Sequence, residues 1–273
     1  MKVDSHIHLY DPFDQSVLGW FWPPKESSIY RPMDGEEFLA QAKDSGIDKA
    51  IVVACTRHPS QVEQVYRMDH DCIAAVIGFT EMFADDFREQ YARLSVHPKF
   101  RGFRCDAREE PTRTVYDNFA VMEHQKANVV EFLGGRGGME KLYPVFDAFP
   151  GINFVIEHCA MLPTAGEPTA ETVEYLSALA HHENVSLKIS GLTAHAKVSP
   201  IPTDPAAYAP ILRAFLNAFG EDRLVFGTDW PNVVLKGCAY SDSADIVEGF
   251  FSAVSPSAAE KVMGGNAIRI YSL

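Results

Sequence analysis

The sequence predicts a (β/α)8 barrel on three observations. Eight short runs rich in Val, Ile and Phe alternate with helix-like stretches along the chain. Several of these runs are near-continuously apolar, as strands buried on both faces of a parallel sheet must be. The turn after the first run, "HLYDPFDQ", has no G-x-G-x-x-G, the glycine pattern that usually opens a doubly wound sheet. One barrel domain spanning residues 1–273 is expected, long enough to bury a full core, with no linker, short repeat or low-complexity tract.

The elements follow in order. The first strand is "KVDSHIHL" (2–9), and the first helix candidate is "DGEEFLAQAKDSG", with Asp34 and Glu37 spaced as in a capping box and Gly46 as its stop. Next come the strand "KAIVVAC" (49–55), a helix from "SQVEQVYRMDHD" (60–71), the strand "IAAVIGFTE" (73–81) and a helix from "DDFREQYARL" (85–94). The strand "FRGFRCDA" (100–107) precedes a helix over "YDNFAVMEHQK" (116–126); the strand "NVVEFLG" (128–134) precedes "MEKLYPVFDAF" (139–149), a helix that Pro144 should dent. "NFVIEHCA" (153–160), "VSLKISGL" (185–192) and "RLVFGTDW" (223–230) read as the last three strands. "TAETVEYLSALAHHE" (169–183), "DPAAYAPILRAFLNAFG" (204–220) and a stretch from about 241 to 263 supply the remaining helices. Residues 10–33 are long for a βα loop and hold Trp20, Phe21 and Trp22. Such a loop would lie over the barrel mouth, with Trp22 the expected substrate contact.

The formal net charge of −13 argues against a nucleic-acid partner, whose footprint is usually basic. No run approaches the roughly 20 apolar residues of a membrane span. Five cysteines, with no C-x-x-C, indicate neither a disulfide framework nor a thiolate zinc site, and a cytoplasmic setting is expected. The partner expected is a small anionic molecule; self-association into a homo-oligomer stays open.

The chemistry is expected at strand ends. Residues i and i+2 of a strand point the same way, so His6 and His8 share a face, with Asp4 beneath them. Two imidazoles so placed can chelate one divalent ion. Asp229 closes the last strand in "VFGTDWP", beside the first strand in a closed barrel, where it can bind the ion or take a proton from water. His158 ends strand six. Arg104 in "GFRCD" and Lys188 in "SLKIS" are cations within strands and need an anionic partner, either a substrate group or an acid such as Asp106 or Glu131. His58 and His195 follow strands two and seven and could reach the mouth.

"DSHIHLYDP", "VIEHCA", "LKISGL", "RLVFGTDWP" and "GGNAIRIY", in this order and over essentially the whole chain, resemble the amidohydrolase-related family. More narrowly they resemble its lactonase-like branch, which includes fuconolactone, sulfomuconolactone and pyrone-dicarboxylate hydrolases. The resemblance implies a TIM barrel that opens a small lactone, carboxylated or sugar-derived. It implies His6 and His8 as metal ligands or oxyanion donors, His158 as third ligand or polariser, Asp229 as general base, and Arg104 holding a substrate carboxylate. Glu131 stands where dinuclear relatives have a histidine, and Arg104 where they have a bridging Lys or Glu. One zinc or manganese ion, or a metal-free mechanism, is therefore expected rather than a metal pair. Three other readings compete: a metal-dependent decarboxylase of aromatic acids, a TatD-like metal nuclease and a non-catalytic binding barrel.

Overall fold

A computed structural model describes residues 1–19 and 23–273. Among them, eight parallel strands follow one another around a nearly closed barrel: β1 (Val3–Ile7), β2 (Lys49–Val53), β3 (Ile73–Phe79), β4 (Phe100–Asp106), β5 (Val129–Leu133), β6 (Asn153–Ile156), β7 (Val185–Ser190) and β8 (Leu224–Gly227). Each lies within its predicted run. Trp22 lies outside the described residues.

The helices cover the outside: α1 (Gly35–Ala42), α2 (Ser60–Met68), α3 (Phe87–Leu94), α4 (Arg113–Phe119), α5 (Arg136–Met139), α6 (Tyr143–Ala148), α7 (Ala170–Ala180), α8 (Ala209–Phe219), α9 (Asn232–Leu235), α10 (Tyr240–Val254), α11 (Pro256–Glu260) and α12 (Asn266–Ile270). Half of the expected capping box forms at α1. Asp34 Oδ1 accepts the Glu37 N–H at 2.9 Å, but the Glu37 carboxylate pairs with Arg31 instead of turning back. α4 begins after Thr112, earlier than expected, and the chain beyond Phe119 turns, with His124 at φ 66°. The helix expected over 139–149 is divided, and Pro144 falls in the first turn of α6, where its missing N–H costs nothing.

Val3, Ile51, Val53, Ala75, Ile77, Val129, Val155 and Val225 fill the barrel interior. Ala267, Ile270 and Tyr271 close it from below. A second, larger apolar cluster lies between the strands and the helices.

The seam between β8 and β1 is built differently from the other seven strand pairs. Backbone bonds run from Asp229 N to His6 O (2.9 Å) and from His8 N to Trp230 O (2.8 Å). Ser5 Oγ donates to Phe226 O, and Asp4 supplies the rest with its carboxylate. Oδ1 accepts the Thr228 and His6 N–H groups at 3.0 Å, while Oδ2 accepts the Thr228 hydroxyl and the Tyr240 hydroxyl. The expectation that Asp4 shares a face with His6 and His8 fails here. The register shifts between Asp4 and Ile7, so Val3 enters the interior cluster and Asp4 turns to β8 and α10.

β6 also ends earlier than expected. His158, Cys159, Ala160 and Met161 form a left-handed turn, with φ between 49° and 58°. Non-glycine residues pay roughly 1–2 kcal/mol each for this conformation. Burial of Cys159 and Ala160 and a bond from the His158 N–H to Ser190 Oγ at 3.0 Å help to offset it.

Burial pushes the Asp4 carboxyl up to about 6, against the pull of its hydrogen-bond donors. The Tyr240 phenol is among the donors that favour the ionised form. Tyr240→Phe should therefore destabilise the protein by about 1–3 kcal/mol at neutral pH. In urea unfolding at a series of pH values the loss should shrink as the pH falls from about 7 to about 4, because a protonated Asp4 needs that donor less.

Candidate active site at the C-terminal mouth

The strand ends open on a cavity of about 590 Å³ lined by, among others, His8, Phe79, Arg104, His158, His195, Asp229 and Asn232. At the β1–β8 seam His8 and Asp229 line this cavity and His6 lies buried beside them, so that three of the expected residues come together. His8 Nε2 lies 3.3 Å and His6 Nε2 3.8 Å from Asp229 Oδ1. All three are buried. Gly227 makes room for this approach, since a Cβ there would stand 2.9 Å from the His6 Cβ.

The protonation of this trio can be read from its other contacts. His8 Nδ1 lies 2.7 Å from Val53 O. A carbonyl only accepts, so Nδ1 carries a proton. Nε2 then faces the carboxylate either as the N–H of an imidazolium or as a lone pair across a cation. Burial first, and then the Lys188 charge, push His6 well below the usual imidazole range and keep it neutral. Its Nε2 is buried and has no hydrogen-bond partner among the described residues. Two imidazole nitrogens and a carboxylate oxygen, one of them orphaned, fit a divalent ion of the zinc or manganese kind. Burial alone would raise the Asp229 carboxyl; His158, His8 and His195 outweigh it and hold Asp229 below the ordinary carboxylate range.

His158 is close by, its ring 4.6 Å from that of His6, but its nitrogens are engaged. Arg104 Nη2 lies 3.4 Å from Nε2, and arginine only donates, so Nε2 accepts and Nδ1 donates to Ser190 Oγ at 3.0 Å. The donor atoms of His158 group with those of His6 and Glu157, and separately with those of His195 and Asp229. The adjacent guanidinium disfavours a cation at Nε2.

Arg104 and Lys188 belong to a layer of paired charges beneath and beside the cluster. Arg104 Nε and Nη2 both donate to Glu157 Oε2, at 2.9 and 2.8 Å. Lys188, fully buried, donates to Glu131 Oε1 at 2.7 Å and to Ser5 O at 2.9 Å, and the Tyr271 hydroxyl reaches the same Glu131 oxygen at 2.6 Å. Burial pushes the Glu157 carboxyl above the ordinary carboxylate range and the neighbouring Glu131 adds to the rise, while Arg104 pulls it back toward the ionised form. Lys188 thus lies under His6 with an internal partner, whereas Arg104 reaches the cavity.

Several residues of the site escaped the sequence analysis or received little weight there. Asn232 donates to Asp229 Oδ2 at 2.6 Å, and Glu157 is the counter-ion of Arg104. Arg57 lies at the mouth against the Phe79 ring and pairs with Asp106 and with Glu81. His195 does line the cavity, and its buried Nε2 has no hydrogen-bond partner among the described residues. The signal for Asn232 was present in "TDWPN": a polar side chain one helical turn beyond Asp229.

The model of the family described as Amidohydrolase matches residues 3–273. An L-fucono-1,5-lactonase from Burkholderia ambifaria is 29% identical, covering 99% of this chain and 95% of the relative. An L-fucono-1,5-lactonase from Burkholderia multivorans is 28% identical, covering 100% of this chain and 96% of the relative. Among solved structures, an amidohydrolase from Burkholderia multivorans with bound zinc superposes with a TM-score of 0.82 at 23% identity, over 100% of this chain and 99% of that one. A probable 2-pyrone-4,6-dicarboxylic acid hydrolase from Acinetobacter baumannii superposes with a TM-score of 0.77 at 15% identity, over 100% and 99% of the two chains. At these identities the two structures show the barrel fold.

Removing one member of a buried ion pair leaves the other charge uncompensated. Lys188→Met should therefore destabilise the barrel by about 3–5 kcal/mol in urea unfolding at neutral pH. A loss below about 1 kcal/mol would show that the Glu131 contact does not hold this layer together.

Proposed function

The chain belongs to the amidohydrolase family, and from that premise we propose that it is a lactone hydrolase whose substrate is the ring lactone of a small polyhydroxylated acid. The observation that carries the proposal is the His6, His8 and Asp229 cluster, of which His8 and Asp229 line a cavity at the strand ends. The L-fucono-1,5-lactonases similar to this chain along its whole length support the substrate class.

Asp229 is ionised and acts as general base. Its Oδ1 takes a proton from a water in the cavity, the water oxygen attacks the ring carbonyl carbon, and the bond from that carbon to the ring oxygen breaks. The proton on Asp229 passes to the departing alkoxide, giving the open hydroxy acid. His6, His8 and Asp229 would hold a divalent ion, which when bound supplies Lewis acidity toward the carbonyl and lowers the pKa of water. That chemistry suits a base as weak as a depressed carboxylate.

The arginines at the mouth favour a sugar-derived lactone over one bearing a free carboxylate. Arg104 spends two nitrogens on Glu157, and Arg57 is paired with Asp106 and Glu81. They remain hydrogen-bond donors for hydroxyl groups, but their charges are largely balanced by these acids. Arg104 is the substrate-binding cation of this reading, and His158 beside it aligns the guanidinium.

The test combines metal analysis with a panel of sugar lactones and carboxylated lactones. Untagged protein should carry about one zinc or manganese ion per chain, and chelation should remove both ion and turnover. Asp229→Asn should lower kcat by about 10²- to 10⁴-fold. Full activity in that variant would place the base elsewhere. Turnover that survives complete metal removal would make His6 and His8 hydrogen-bond donors to the oxyanion. Bound metal with no lactone opened would turn attention to aromatic carboxylates and decarboxylation.

A further inference from the structure

The two oxygens of Asp229 have different surroundings. Oδ1 faces His8 and His6, at 3.3 and 3.8 Å. Oδ2 is held by the amide of Asn232 at 2.6 Å. On the same side lies Gly191, where even a Cβ would stand 3.3 Å from Oδ2 and 2.9 Å from the His195 ring. Oδ2 is thus enclosed by an amide donor and by backbone.

The backbone leaves the carboxylate dependent on that amide. Asp229 has a φ of 64°, a left-handed conformation that puts its side chain at the bend between β8 and α9. Its N–H bonds to His6 O, and its own carbonyl accepts the Val233 N–H at 3.2 Å, so the main chain is anchored at both ends. Rotation of the carboxylate about its last bond is opposed on the Oδ2 side by Asn232, the first residue of α9, which also lines the cavity.

We infer that Asn232 is a positioning residue for the reaction: it binds Oδ2 of Asp229, fixes the plane of the carboxylate and thereby makes Oδ1 the working oxygen. This rests on the reading of Asp229 as the base of a lactone hydrolase. Asn232 touches neither water nor carbonyl carbon in this scheme; it acts through Asp229. Misplacing a catalytic group by about 1 Å can cost on the order of 10² in rate, and loss of an outer hydrogen bond to a ligating carboxylate typically costs about 10–100-fold. The effect should fall on kcat, because the lactone is gripped by other parts of the cavity.

The experiment measures kcat and KM on the best lactone of the panel for four proteins: the unaltered chain, Asp229→Asn, Asn232→Leu and Asn232→Ser. Leucine matches asparagine in size but donates nothing, whereas serine keeps a donor. The expected result is a kcat about 10–100-fold lower in the leucine variant, with KM within about threefold, and partial recovery of kcat in the serine variant. Should leucine prevent folding, Asn232→Ala carries the same expectation. A leucine or alanine variant with kcat within twofold of the unaltered chain, or one in which only KM moves, would overturn the inference. Loss of turnover in Asp229→Asn together with unaltered kcat in the Asn232 variants would leave the base in place and remove Asn232 alone. Full activity in Asp229→Asn would remove both.

Discussion

The arrangement depends on how the barrel closes. A regular ladder between β8 and β1 would spend the backbone groups of both strands on each other. Here the Thr228 N–H goes to the Asp4 carboxylate instead, and the register of β1 shifts beside it. That shift turns Asp4 out of the barrel and brings His6 against Gly227. The same irregular seam places Asp229 between the two imidazoles. A buried carboxylate used as mortar is costly, as its raised pKa shows, and four donors hold it in place. Its chemistry is that of a cornerstone, not of a reactant.

Beneath the cluster the interior changes from apolar to ionic within a single layer. Valines and isoleucines fill the barrel interior, and Glu131, Lys188, Glu157 and Arg104 cross it in two acid–base pairs. Ion pairs of this kind add little stability compared with an apolar filling. Their use here is geometric. Arg104 sits against His158 and orients its ring, while Lys188 lies under His6, whose neutrality comes first from burial and then from that charge.

Much of the fold was legible because it is written locally. Eight apolar runs sit on eight strands, and the i, i+2 spacing of His6 and His8 together with the position of Asp229 was enough to bring these three together. What escaped depends on distant partners or on unusual backbone. The register shift at Asp4 answers to Thr228 and Tyr240, more than 220 residues away. The left-handed turn from His158 to Met161 has no glycine to announce it, so "EHCA" read as the end of a strand. That a lysine inside a barrel strand needs an anion was plain from β7 alone; that Glu131 would be the anion depended on strand order. His195, marked in the sequence only by its place after β7, sits in a turn, and Asn232 opens a four-residue helix; neither segment is long enough for periodicity to mark a side chain as inward-facing.

The seam has a consequence for the order of events during synthesis. The bonds that close it join residues 221, 224 and 236 positions apart. A chain emerging from the ribosome can pair β1 through β7 in sequence, each strand with the one before it. His6 and His8, carried by the first strand of the barrel, must then wait for β8 before they acquire Asp229. Such distant closure is slow, and until it happens β1 offers an unpaired edge. The active site is therefore also the joint at which the strands of the barrel close.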